Sequence, residues 1–101
     1  FGHCHPGIVR AVSEQLAKVS HISLGLDSDV RQNAARALID CFDKQGRVHF
    51  TNSGAEANES AFVFINSYQH LTGHPERNQI ITFEGAFHGR TYATRSAAGK
   101  Y

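Results

Sequence analysis

Apolar residues recur every three or four positions along residues 6–19: Ile8, Val9, Val12, Leu16 and Val19. That spacing is one face of a helix. Pro6 suits its first turn, where a missing N–H is not needed. Residues 20–26 read as a loop or extended stretch. A second stripe, Val30, Ala34, Ala37, Leu38 and Cys41, predicts a helix over 30–41. Asp27, Ser28 or Asp29 is available as its N-cap. Gln45-Gly46 is a turn, and Arg47-Val48-His49-Phe50-Thr51 a short strand. Asn52-Ser53-Gly54 then leads into a helix over 55–72. Ser53 and Glu56 have capping-box spacing, and Gly73 followed by His74-Pro75 ends the helix. Gln79-Ile80-Ile81-Thr82-Phe83 is a second strand, apolar enough to be buried. Glu84-Gly85-Ala86 turns into Phe87-His88-Gly89-Arg90, and a last helical turn or two follows from Thr91.

Strand, glycine turn, helix, strand is the grammar of an α/β fold with a parallel sheet and crossover helices. Such sheets bind ligands at the carboxyl ends of their strands. Residues 52–55 and 87–90 both lie just past an expected strand end, so the two are expected to line one crevice.

Composition narrows the function classes. The chain has 101 residues, enough for one small domain or part of a larger one. At 41% hydrophobic and 19% charged residues, disorder is not expected. A net charge of +1 gives no general pull toward nucleic acid or anionic membranes. No apolar run approaches the roughly 20 residues that span a bilayer, and no signal peptide is visible. The chain opens on Phe1-Gly2-His3 and contains no Met, which reads as an internal segment of a longer chain. Two distant cysteines, Cys4 and Cys41, make no disulfide framework, so a reduced, cytoplasmic setting fits best.

Seven histidines invite a metal reading, but His3-Cys4-His5 are too close together to supply three ligands, and no Cys-x-x-Cys accompanies them. No metal is expected. The Gly-x-Ser-x-Gly elbow and the Gly-x-x-x-x-Gly-Lys-Ser/Thr loop are both absent.

The start of the third helix carries the clearest chemistry. A helix N-terminus offers free N–H groups and the positive end of the helix dipole, which together attract an anion. Gly54 has no side chain, so a phosphate can come close to its backbone. Ser53 would cap the N–H of residue 56 and leave those of Gly54 and Ala55 free, and its hydroxyl can add a bond. A bare Ser-Gly-Ala triplet reads more readily as the start of a plain capped helix.

The longer string decides between these. Asn52-Ser53-Gly54-Ala55-Glu56-Ala57-Asn58-Glu59 resembles a segment of class III aminotransferases, notably the acetylornithine and ornithine aminotransferase family. Phe1-Gly2-His3-Cys4-His5-Pro6 is similar to that family's Gly-His-x-His/Asn-Pro segment. Gln15 fits, Ala86-Phe87-His88-Gly89-Arg90-Thr91 is similar to its Phe-His-Gly-Arg-Thr/Ser motif, and Gly99-Lys100-Tyr101 also matches. The resemblance runs along essentially the whole chain, in register.

The resemblance implies part of the large domain of a fold-type I enzyme that uses pyridoxal 5′-phosphate, occupying residues 1–101. It implies that Gly54 and Ala55 hold the cofactor phosphate through their backbone N–H groups, with the Ser53 hydroxyl placed to add a bond, that Phe87 stacks on the cofactor ring, and that Arg90 binds a substrate carboxylate. His88 gets no catalytic role, and Glu59 reads as a solvated or structural glutamate on the face of Ala55. The implied reaction moves an amino group from an ω-amino acid such as N-acetylornithine to 2-oxoglutarate, within a homodimer. The lysine that forms the family's Schiff base and the aspartate that keeps its pyridine nitrogen protonated match nothing here. Lys18, Lys44 and Lys100 do not fit the lysine's motif. This stretch alone is therefore expected to be inactive.

Alternatives are another enzyme of the subfamily (4-aminobutyrate or ornithine aminotransferase, or glutamate-1-semialdehyde aminomutase), a non-catalytic module of the same fold, or an unrelated phosphate-binding domain. Arg90 favours a carboxylate-binding aminotransferase over the aminomutase. One stretch departs from the family. Its apolar-Lys-x-Ala-Arg run is replaced by Phe62-Val63-Phe64-Ile65-Asn66, which makes that helix more apolar.

Overall fold

Helices form where apolar spacing and cap residues place them. The computed structural model describes residues 1–23, 25–42 and 45–99. Leu24 of the expected loop, Lys44, and Lys100-Tyr101 of the terminal motif lie outside the described residues. The chain divides into two units, Phe1–Val48 and His49–Tyr101.

In the first unit, α1 spans Pro6–Lys18 and starts on Pro6. The His5 side chain caps it, with Nδ1 accepting from the Gly7 N–H at 3.2 Å. The second helix, α2, spans Asp29–Cys41. Of its three candidate caps, Ser28 is used, its hydroxyl accepting from the Arg31 N–H at 3.2 Å. Asp27 serves the same end from outside, taking the Ser28 N–H at 2.9 Å and the Gln32 side-chain amide at 3.2 Å. No described residue of this unit is buried. The stripes of α1 and α2 keep their apolar side chains open, so local caps and backbone bonds hold these helices, without the burial that normally stabilises a helix most.

In the second unit, α3 spans Gly54–Leu71 and α4 spans Tyr92–Ala97. The end of α3 is a Schellman turn. Gly73 takes φ +83°, its N–H donates to the His70 carbonyl at 3.2 Å, and the His74 N–H donates to the Gln69 carbonyl at 2.8 Å. Among the described residues, α3 and α4 are the only helices in contact. Among the described residues the buried ones are Gly89, Thr94 and Ala98, and Gly89 sits between Ala55 of α3 and Thr94 of α4. Neither helix is long and apolar enough to cross a membrane, nor is any other among the described residues.

The two expected strands are not seen. Among the described residues there is no strand, and 47–51 and 79–83 make no ladder bonds. Among the described residues the structure is helical, and the α/β sheet read from the sequence is not shown. The cause is physical: a strand satisfies only half its needs by itself and must exchange N–H and C=O bonds with a neighbour. Among the described residues neither run has such a partner. Burial fails with pairing, since Ile81 is 94% and Phe83 83% exposed.

Candidate functional site

The start of α3 is built by a reciprocal cap. Ser53 is extended, at φ −154° and ψ 161°, and its hydroxyl accepts from the Glu56 N–H at 3.2 Å. The Glu56 carboxylate turns back and accepts from the Asn52 N–H at 2.7 Å. That is one residue earlier than a standard capping box, which would return to Ser53 itself. The Thr51 hydroxyl donates to the Ser53 carbonyl at 3.0 Å and tightens the approach. Among the described residues, no acceptor meets the N–H of Gly54 or Ala55. The space where a side chain of Gly54 would stand is open. Two free donors therefore sit at the positive end of an 18-residue helix.

The second motif lies directly against this helix. Gly89 packs onto Ala55 so closely that a Cβ added to it would stand 2.7 Å from the Ala55 Cβ and 2.8 Å from the Thr94 hydroxyl. Two side chains from the next positions of the Ala55 face tie the loop down. Asn58 donates its side-chain amide to the His88 carbonyl at 2.7 Å. Glu59 accepts from the Thr91 hydroxyl in a short, half-buried bond. Fully buried Thr94 completes the knot: its hydroxyl accepts from the Thr91 N–H at 3.0 Å and lies 2.7 Å from the Thr91 hydroxyl. The turn carrying Phe87 and Arg90 is thus fixed to the helix that presents Gly54 and Ala55.

Phe87 is 71% exposed. Arg90 is exposed and has no acidic partner among the described residues. Both line a hollow of about 400 Å³ with Gly89, Arg95 and Ala98. All five residues singled out in the sequence, Ser53, Gly54, Ala55, Phe87 and Arg90, belong to this one unit. Glu59 has a structural partner, as its sequence position suggested. The His88 ring keeps a buried Nε2 without a partner among the described residues, while its carbonyl holds the turn.

Sequence reasoning missed Asn58, Thr91 and Thr94. Signals for them exist. Asn58 and Glu59 follow Ala55 at three and four positions, the spacing that puts residues on one helix face. Thr91 and Thr94 have the three-residue interval of a cap, and both halves of that box are present.

The chain matches, over residues 1–101, the model of a family described as aminotransferase class-III. It is 47% identical over 101 residues to an acetylornithine aminotransferase of Mesorhizobium japonicum, covering 100% of this chain and 25% of that protein. It is 46% identical to one of Brucella melitensis, covering 99% of this chain and 25% of that protein. It is 42% identical to one of Streptomyces clavuligerus, covering 99% of this chain and 23% of that protein. The chain spans about a quarter of the length of these curated relatives.

Proposed function

Because the chain belongs to the class-III aminotransferase family, we propose that residues 1–101 form part of the large domain of a pyridoxal 5′-phosphate transaminase. On this reading Ser53, Gly54 and Ala55 hold the phosphate, Phe87 holds the ring and Arg90 orients the substrate. One observation carries this: two N–H groups at the start of α3 with no acceptor among the described residues lie on the same fixed scaffold as exposed Phe87 and as Arg90, which has no acidic partner among those residues.

The residues fit the group. A dianionic phosphate needs donors and close approach, and Gly54 and Ala55 offer both with no Cβ at position 54 in the way. Ser53 has its hydroxyl oxygen engaged as an acceptor, so its hydrogen remains to donate. An aromatic face on one side of a flat heterocycle fixes its plane by offset stacking and apolar burial. When bound, the cofactor would supply the electron sink and amino carrier that protein side chains lack. The chain's own contribution is orientation. Arg90 grips a carboxylate through two parallel hydrogen bonds, which sets the amino or oxo group of the substrate at a defined angle to the ring.

The donor is an ω-amino acid such as N-acetylornithine and the acceptor 2-oxoglutarate. The relatives' names support the donor. The protein acts as a homodimer in the cytoplasm. Residues 1–101 have no turnover by themselves, since the lysine and aspartate of the family's chemistry match nothing among them. The open stripes of α1 and α2, and exposed Ile81 and Phe83, are faces that the rest of such a protein would cover.

Replacing Phe87 with Ala in the intact protein tests the cofactor assignment. Losing an aromatic face costs roughly 1.5–3 kcal/mol of burial. Pyridoxal phosphate affinity, read from the change in its absorption on titration into the apo protein, is expected to fall about tenfold or more. The circular dichroism of the apo protein should match the parent. Unchanged affinity in a well-folded variant would remove Phe87 from the cofactor site.

A further inference from the structure

The turn from Phe87 to Thr91 is tied to α3 twice, by neighbouring residues, on opposite sides of Gly89. Asn58 donates its side-chain amide to the His88 carbonyl at 2.7 Å, next to Phe87. Glu59 accepts from the Thr91 hydroxyl, next to Arg90. Gly89 between the two ties is buried against Ala55 and Thr94. It is a fixed point, so a shift on one side of it is not passed freely to the other.

The ties differ in chemistry. Among the described residues the His88 carbonyl receives no bond besides that from Asn58, so losing Asn58 leaves this carbonyl without a partner. The Glu59 tie has a direction. The single hydrogen of the Thr91 hydroxyl goes to the carboxylate, so the Thr94 hydroxyl, 2.7 Å away, donates to the Thr91 oxygen. The relay ends on a charged acceptor, the stronger kind of hydrogen bond. No basic partner claims Glu59 among the described residues. Phe87 and Arg90 are themselves exposed, so packing within this unit does little to place them. Their backbone places them, and these two bonds hold that backbone.

We propose that Asn58 and Glu59 are positioning residues with separate tasks: Asn58 sets the cofactor ring through Phe87, and Glu59 sets the substrate carboxylate through Arg90. This rests on the transaminase reading given above.

Double-mutant cycles in the intact protein test the division. Pyridoxal phosphate is titrated into the apo protein and followed by absorption, and kcat/KM is measured with N-acetylornithine at saturating cofactor. Asn58→Ala is expected to lower cofactor affinity about fivefold in the parent. Beside Phe87→Ala it should lower it less than about twofold, since no ring remains to misplace. Asn58→Asp keeps the shape but sets an acceptor against a carbonyl, and should not restore the affinity. Glu59→Ala is expected to leave cofactor affinity within about twofold and to lower kcat/KM about tenfold, an effect that should vanish beside Arg90→Ala. Glu59→Gln should recover most of it, because an amide oxygen still accepts from Thr91. Should an alanine variant not fold, Asn58→Asp and Thr91→Val break the same two bonds and carry the same cycles. Equal effects with and without the Phe87 ring or the Arg90 guanidinium would make the ties structural only and overturn their positioning roles. Parallel losses of cofactor affinity and kcat/KM from either tie would overturn the division. A parent that binds no pyridoxal phosphate overturns the transaminase reading itself, whereas binding without coupling in the cycles overturns the positioning alone.

Discussion

Replacing Gly89 with Ala is expected to destabilise the site more than the same change at any other glycine of the chain. Two costs add at this position. Gly89 has φ +133°, a region nearly closed to residues with a Cβ, and strain of that kind costs about 1–3 kcal/mol. The added carbon would also stand 2.7 Å from the Ala55 Cβ, 2.8 Å from the Thr94 hydroxyl and 3.0 Å from the Ala55 Cα. Thr94 is fully buried and Ala55 is part of a helix, so neither can step aside cheaply. Overpacking of this sort costs about 1–3 kcal/mol more. The loop must lift off α3, and the Asn58–His88 and Glu59–Thr91 bonds go with it. Gly73→Ala is the control. It has φ +83° but nothing within 4 Å of the added carbon, so it carries strain without a clash. In urea unfolding of the intact protein, Gly89→Ala should lower the midpoint well beyond Gly73→Ala. Equal midpoints would mean that the packing of Gly89 on Ala55 contributes nothing.

The local parts of this architecture are legible in the sequence because their causes are local. Pro6 opens α1, Ser28 caps α2, and Gly73 turns α3 off, each through bonds spanning at most five residues. The Ser53–Glu56 pair is nearly so. Its spacing is correct, but the returning carboxylate takes the Asn52 N–H, which spacing alone does not reveal. The strands are not realised because pairing is a property of two segments, and a run such as 79–83 carries only its own half. At the candidate site, the free donors of Gly54 and Ala55 follow from the cap. The clamp does not. Asn58 and Thr91 are polar residues of ordinary surface type, and only the approach of residue 89 to residue 55 gives them partners more than 29 positions away. Gly89 was legible as part of a motif, whereas its reason, a contact that no side chain fits, is tertiary.

Removing the Arg90 guanidinium should separate substrate binding from cofactor binding. Arg90 has no acidic partner among the described residues, so its loss leaves no buried carboxylate unpaired and the turn should survive. Its carbonyl-side neighbours are held by Glu59 and Thr94 through Thr91. On the proposed transaminase reading, Arg90→Ala in the intact protein is expected to lower kcat/KM for the amino donor about a hundredfold, the scale of losing a bidentate charged contact. Arg90→Lys should recover only part of this, because an ammonium is a point charge and cannot match a carboxylate with a planar fork. Pyridoxal phosphate affinity should remain near that of the parent in both variants, the reverse of the pattern expected for Phe87→Ala. A fall in cofactor affinity with kcat/KM preserved at saturating cofactor would reassign Arg90 from the substrate to the phosphate. An unchanged kcat/KM would remove it from the chemistry.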